Sequence, residues 1–82
     1  MPREKLEPAA AEHSLPVRNR VKSLRIEQGL SQQELARAAG VTRQTISNIE
    51  GGLFVPSVAV AMRLARALGC RVEDLFWLED TC

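Results

Sequence analysis

The feature that most narrows what this chain can fold into is a pair of short helical segments joined by only two residues. Ser31-Gln32-Gln33-Glu34 has the residue types of a reciprocal cap: the serine hydroxyl takes the amide three residues on, and the glutamate reaches back to the serine amide. Leu30 just before it is placed to staple onto Leu35. Leu35, Ala36 and Ala39 then share one face, and Gly40 stands where a helix ends in a left-handed residue. Thr42 is the next N-cap, so Gly40-Val41 alone makes the turn. So short a link forces the helices to cross sharply. Ala36 must be small because the second helix passes close above it, and Val41 plugs the angle between them.

The rest of the chain continues the helical pattern. Val21, Leu24 and Gln28 step by three and four with Val17 one turn earlier, which predicts a first helix over about 17–28, with Pro16 at its start and Gly29 as its stop. The capped pair gives helices over about 32–39 and 43–50. In the latter, Ile46 and Ile49 face inward, and Gly51-Gly52 ends it. Pro56-Ser57 opens a fourth helix whose apolar stripe is Val58, Ala61, Leu64, Ala65 and Leu68, closed by Gly69. A short fifth runs from about Val72 to Trp77 with Leu75 and Phe76 buried. No alternating strand pattern or hairpin dipeptide appears. The expected fold is all-α, a compact five-helix bundle. Residues 1–15, with Pro2 and Pro8 and few apolar anchors, read as a flexible tail; residues 16–78 read as the folded domain and 79–82 as a C-terminal tail. His13, the lone histidine, falls in the first tail and gets no role.

Composition removes several function classes. With 82 residues there is room for one core, and tight helix packing or a partner subunit is needed to support it. No apolar run reaches the length of a membrane span, and the first residues do not resemble a signal peptide. Cys70 and Cys82 have no metal-ligand spacing and are too few for a disulfide scaffold, so a reduced, cytoplasmic protein is expected. Cys70 reads as a small buried hydrophobe and Cys82 as a free terminal thiol. The predicted folded part has no histidine, paired-carboxylate pocket or Gly-rich phosphate loop, which argues against an enzyme; no cofactor or metal is expected. Net charge is +1, but its distribution is uneven. Arg18, Arg20, Lys22, Arg25, Arg37 and Arg43 outnumber Glu27, Glu34 and Glu50 in the middle of the chain. That is a local basic footprint, weaker than the strongly basic character of many nucleic-acid binders.

Two short helices about a glycine turn are the signature of a helix-turn-helix. Leu30-Ser31-Gln32-Gln33-Glu34-Leu35-Ala36 and Gly40-Val41-Thr42-Arg43-Gln44-Thr45-Ile46-Ser47-Asn48-Ile49-Glu50 together resemble the Cro and phage-repressor (Xre-type) helix-turn-helix family. The resemblance runs from about Asn19 to Phe76 and takes in Arg20-Val21-Lys22-Ser23-Leu24-Arg25, Pro56-Ser57, Leu68-Gly69 and Leu75-Phe76. It implies a lambda-repressor-like bundle that binds double-stranded DNA with its third helix in the major groove. By that resemblance Thr42, Arg43, Gln44, Thr45 and Asn48 contact bases. Glutamine suits adenine N6/N7, arginine suits guanine O6/N7, and the Thr45 methyl suits thymine. Gln32, Arg20, Lys22 and Ser47 are the implied phosphate contacts. Arg25 and Glu50 match a family ion pair tying the first helix to the third.

The chain departs from the family pattern in places. The loop Gly51-Gly52-Leu53-Phe54-Val55 carries no charge where basic or asparagine residues are usual. Phe54 either folds back over the core or joins a contact patch. Arg71 stands where the last helix usually has a Ser or Asp cap. Leu53, Phe54, Trp77 and Leu78 are candidates for an interface, and a homodimer is expected. Two functions compete: a sequence-specific transcriptional regulator, repressor by preference, or an antitoxin-like protein-interaction module that uses the same fold on a protein partner. No membrane role is expected. The sequence names neither the operator nor the regulated genes, and leaves open whether a C-terminal sensor domain belongs with it.

Overall fold

Among the described residues, three of the five helices begin at a hydroxyl-bearing residue. The computed structural model describes residues 16–79 and places α1 at Val21–Glu27, α2 at Gln32–Ala39, α3 at Arg43–Glu50, α4 at Val58–Leu68 and α5 at Val72–Leu75. The reciprocal cap of α2 is complete: Glu34 N donates to Ser31 Oγ at 3.0 Å and Ser31 N donates to Glu34 Oε1 at 2.7 Å. Thr45 N donates to Thr42 Oγ1 at 3.1 Å, and Val60 N to Ser57 Oγ at 3.2 Å. Between α2 and α3 the chain turns through Gly40 at φ +72°, where any Cβ would be strained, and Val41 N donates back to Ala36 O at 3.0 Å.

The core lies where α2, α3 and α4 meet under α1. Val21, Leu35, Ala36, Ala39, Ile46, Ile49, Leu64 and Leu75 are wholly buried there, with Leu24, Ala65 and Leu68 beside them. Ala36 and Ala39 lack bulk, so α3 and α4 come close over α2. Leu30 and Val41 pack partly buried against this cluster from the two turns. Each helix is only a few turns long and unstable alone, so packing supplies most of the helical stability.

The first and last helices differ from the periodicity reading. Val17–Asn19 is a strand, β1, paired antiparallel with β2, Phe76–Leu78, so that Val17 faces Leu78, Arg18 faces Trp77 and Asn19 faces Phe76. The first helix therefore starts at Val21 rather than 17, and the last stops at Leu75 rather than Trp77. Pro16 lies before the strand, and its carbonyl accepts from Glu79 N at 2.8 Å. Three residues are too few to show a period of two, and the strands pair across almost the whole described chain. Arg18 and Glu79 add an exposed ion pair beside them. Val17 is thus a strand residue, half-buried, and Phe76 is half-buried rather than fully in the core. Val58 is 76% exposed at the first turn of α4, outside the stripe assigned to it. Cys70 is half-buried rather than buried, and that burial pushes its thiol pKa up. At α5 no side chain supplies a cap hydroxyl; Asp74 Oδ2 accepts from Arg71 N at 3.4 Å and Arg71 Nε at 3.3 Å. The expected tail at 1–15 with His13, and Cys82, lie outside the described residues.

Leu64 is wholly buried at the α2–α4 contact. Leu64→Ala is expected to lower stability by about 2–5 kcal/mol, read as a fall in urea midpoint with unchanged slope. The Ser31 amide, and after it the Ser31 hydroxyl, hold the Glu34 carboxyl below its ordinary value of 4.5. A depressed carboxyl stabilises the fold above its unfolded pKa, and that contribution is lost as pH falls through the folded value. In acid-unfolding curves Glu34→Gln should accordingly lose less stability than the parent as pH drops below about 4.5.

Candidate nucleic-acid interface

On α3 the inward positions decide the outward ones. Ile46 and Ile49 are wholly buried, which turns Arg43, Gln44 and Asn48 away from the core. Thr42, Arg43 and Gln44 are exposed; Thr45, Ser47 and Asn48 are half-buried. The exposed end is the helix N-terminus, held by the Thr42 cap immediately after the glycine turn.

Several of the candidate side chains already have partners. Thr42 Oγ1 serves as cap and also lies 3.0 Å from Thr45 Oγ1. Gln44 Nε2 donates to Asn48 Oδ1 at 3.1 Å, one turn on, so these two amides form a pair on the outer face. Arg43 Nη1 donates to Gln32 Oε1 at 2.9 Å, across to the start of α2. Ser47 takes part in no described side-chain hydrogen bond. Arg20 and Lys22, exposed near the start of α1, border a shallow depression with Ser23 and Glu50 and have no carboxylate partner among the described residues.

Arg25 and Glu50 meet behind this surface. Arg25 Nε donates to Glu50 Oε2 at 2.7 Å and Arg25 Nη2 to Glu50 Oε1 at 3.3 Å, with side chains only 12% and 5% exposed. Arg25 Nη1 donates to Leu30 O at 2.9 Å, and Gln32 Nε2 donates to Glu50 Oε1 at 3.0 Å. The planar guanidinium thus satisfies a carboxylate and a turn carbonyl together. One ion pair joins α1, the turn before α2, and the end of α3.

A second tie was not singled out in the sequence. Asn19 Oδ1 accepts from Val21 N, the first amide of α1, at 3.0 Å, while Asn19 Nδ2 donates to Ile49 O at 3.0 Å. Local spacing hides it, because Asn19 falls inside the 17–28 segment expected to be helical.

Leu53 is 80% exposed, Phe54 49%, Trp77 43% and Leu78 56%; Phe54 does not fold wholly over the core. The structure adds an apolar groove of about 380 Å³ lined by Val17, Val55, Pro56, Val58, Ala61, Met62, Val72 and Phe76. Sequence pattern does not reveal Val55, Val58 and Met62 here, because Val55 lies in a loop, Val58 fits the apolar stripe of α4 and Met62 carries no motif.

These elements in this order match known proteins. The helix-turn-helix family model covers residues 21–75, the segment from α1 through α5. The chain belongs to the Xre-type helix-turn-helix family. An uncharacterized helix-turn-helix transcriptional regulator of Bacillus subtilis, YgzD, is 45% identical over 64 residues, 78% of this chain and 97% of that protein. Two solved structures are each 31% identical with a TM-score of 0.63: the clp gene regulator ClgR from Corynebacterium glutamicum, with 66% of this chain and 57% of that chain covered, and the restriction-modification controller protein C.AhdI from Aeromonas hydrophila, with 66% and 82% covered. As a member of this family of transcriptional regulators the helix-turn-helix chain is a DNA-binding protein, and the family is not a class of enzymes. No helix of the described residues is long and apolar enough to cross a membrane.

Because Arg25 and Glu50 are buried together, removing one leaves the other charged and unpaired. Arg25→Met or Glu50→Ala is expected to destabilise by about 3–5 kcal/mol in denaturant titrations, and the double substitution by less than the sum of the two.

Proposed function

We propose that this chain is a repressor that sets α3 in the major groove of double-stranded DNA, acting in the cytoplasm as a two-fold dimer. The observation that carries the reading is the outward Gln44–Asn48 amide pair on a helix whose opposite face is wholly buried. Amides in that position present donors and acceptors to base edges, which is what sequence readout in the major groove needs. Arg20 and Lys22, without carboxylate partners among the described residues, supply sequence-independent attraction to phosphate, and Ser47 a further polar contact. Thr42 and Thr45 contribute at the groove wall, Thr45 through its methyl.

The apolar groove lined by Val17, Val55, Val58, Met62 and Phe76 is the face we assign to the dimer contact; Leu53 and Phe54 precede its Val55 in sequence, while Trp77 and Leu78 border a separate depression beside Arg18. A two-fold dimer places its reading helices about 34–36 Å apart, one turn of B-DNA, so the operator is expected to be an inverted repeat with that half-site spacing. A dimer seated on such a site blocks other proteins that need the same DNA, and that is the basis of the repressor reading.

Selection of bound duplexes from random DNA tests this directly: an inverted repeat supports it, and absence of any preferred sequence refutes it. On the selected site Gln44→Ala is expected to lose about 1–3 kcal/mol of discrimination at one base pair, and equal weakening on every sequence would remove Gln44 from base reading. In sedimentation the parent is expected as a dimer and Val58→Asp as a monomer with weakened operator binding; a Val58→Asp dimer would show that the groove is not the contact.

A further inference from the structure

The solvent side of α4 carries two cations that no carboxylate among the described residues neutralises. Arg63 and Arg66 are exposed, about one turn apart, and with Ala59 and Met62 they line a depression of about 350 Å³. Arg63 reaches from α4 to the end of α2, where a Cβ on Gly40 would lie 3.9 Å from its Nη1. Arg37 is exposed on α2 about one turn before Gly40, so it adds a third cation on this side of the bundle. The ion pairs among the described residues belong instead to Arg18, Arg25 and Arg71. Glu34, about one turn before Arg37, is taken up by the Ser31 cap.

This face is separate from the one assigned to DNA. α2 packs against both α3 and α4, and the inner sides of α3 and α4 are buried in the same core. Their outer sides therefore diverge, and a duplex lying along Gln44 and Asn48 is not aligned with the depression. The lining also differs in kind from a surface that tracks phosphates, because half of it is aliphatic. Met62 is 57% exposed beside the two guanidinium groups. Methionine adapts to irregular apolar partners, and a guanidinium takes a carboxylate through two parallel hydrogen bonds. Arginine and methionine are both enriched where proteins meet proteins. Carboxylates interspersed with aliphatic side chains satisfy both halves of this lining, whereas a sugar-phosphate backbone satisfies only the charged half.

We propose that the outer face of α4 docks an acidic segment of a partner protein. Its carboxylates pair with Arg63 and Arg66, its apolar side chains lie on Met62 and Ala59, and Arg37 extends the attraction from α2. A regulator seated on DNA through α3 then holds a second protein beside the operator. The docking itself does not depend on which helix reads DNA or on the dimer contact, although Met62 borders both the depression and the apolar groove.

The test titrates the full chain with a short peptide of alternating glutamate and leucine and follows backbone amide signals by NMR. A peptide with glutamine in place of each glutamate is the control. The expected result is that the acidic peptide shifts the signals of residues 59–66 and the control does not. Arg63→Gln with Arg66→Gln is expected to weaken the acidic peptide roughly two- to 30-fold, the worth of two exposed ion pairs. The same double variant is expected to sediment as the parent does and to bind the selected operator with unchanged affinity and salt slope. No binding, equal binding of the control, shifts centred on Arg20 and Lys22, or a double variant that binds the peptide as the parent does would each overturn the proposal. An operator salt slope reduced by about 0.9 for each arginine removed would give this face to DNA phosphate and overturn it as well. A double variant that changes oligomeric state would give the face to the contact between copies, with the same consequence. The peptide arm needs no operator, so a chain without a preferred duplex would defeat the repressor reading and leave this test intact.

Discussion

The buried pair between Arg25 and Glu50 is the constraint around which the rest of the molecule is arranged. Two charges withdrawn from water gain little net stability from each other, because the desolvation of both offsets their attraction. What such a pair supplies is a fixed geometry, provided the remaining hydrogen-bonding groups are satisfied. Here they are: Leu30 O and Gln32 Nε2 take up positions on the guanidinium and the carboxylate, and no buried side-chain polar atom among the described residues lacks a partner. The pair therefore sets the angle of α1 against α3, and Asn19 sets it again from the neighbouring Ile49 carbonyl.

That double fixation matters because α3 is only eight residues long. A helix of that length has no independent stability and takes its orientation from what it packs against. Ile46 and Ile49 secure its inner face in the core, and the Thr42 cap and the Gly40 turn secure its start. Its outer face can then carry side chains selected for what they bind. The same residues cannot serve both purposes, and the division shows in the structure. Thr42 and Thr45 are turned toward each other and the helix start, whereas Gln44 and Asn48 pair side by side facing outward.

Much of this was legible in the residues alone. The bounds of α2 and α3 follow from Ser31, Gly40 and Thr42, whose effects act over one helical turn and so appear in local sequence. The inward positions of those helices follow from period 3.6, and the outward site follows by exclusion. Other features were not legible. Val17 fits the helical spacing of Val21 and Leu24, yet it lies in a strand, because its partner Leu78 stands at the other end of the described chain. Val58 fits the stripe of α4 but precedes the point where that helix enters the core. The engagement of Gln32 with both Glu50 and Arg43 joins the start of α2 to the two ends of α3, and no spacing rule along either helix reveals it.

By itself the sequence determined the helix starts, the glycine turn, the inward stripes of α2 and α3, and hence a helix-turn-helix with a polar outer face, since caps and periodicity are short-range and recorded in neighbouring residues. The tertiary structure alone decided that the two ends of the described fold meet in a small antiparallel sheet, that an apolar groove opens beside α4, and that an internal ion pair connects through Gln32 to Arg43 at the exposed start of α3. Each of these depends on residues distant in sequence approaching within a few ångströms. Only the packing of the whole bundle brings them there.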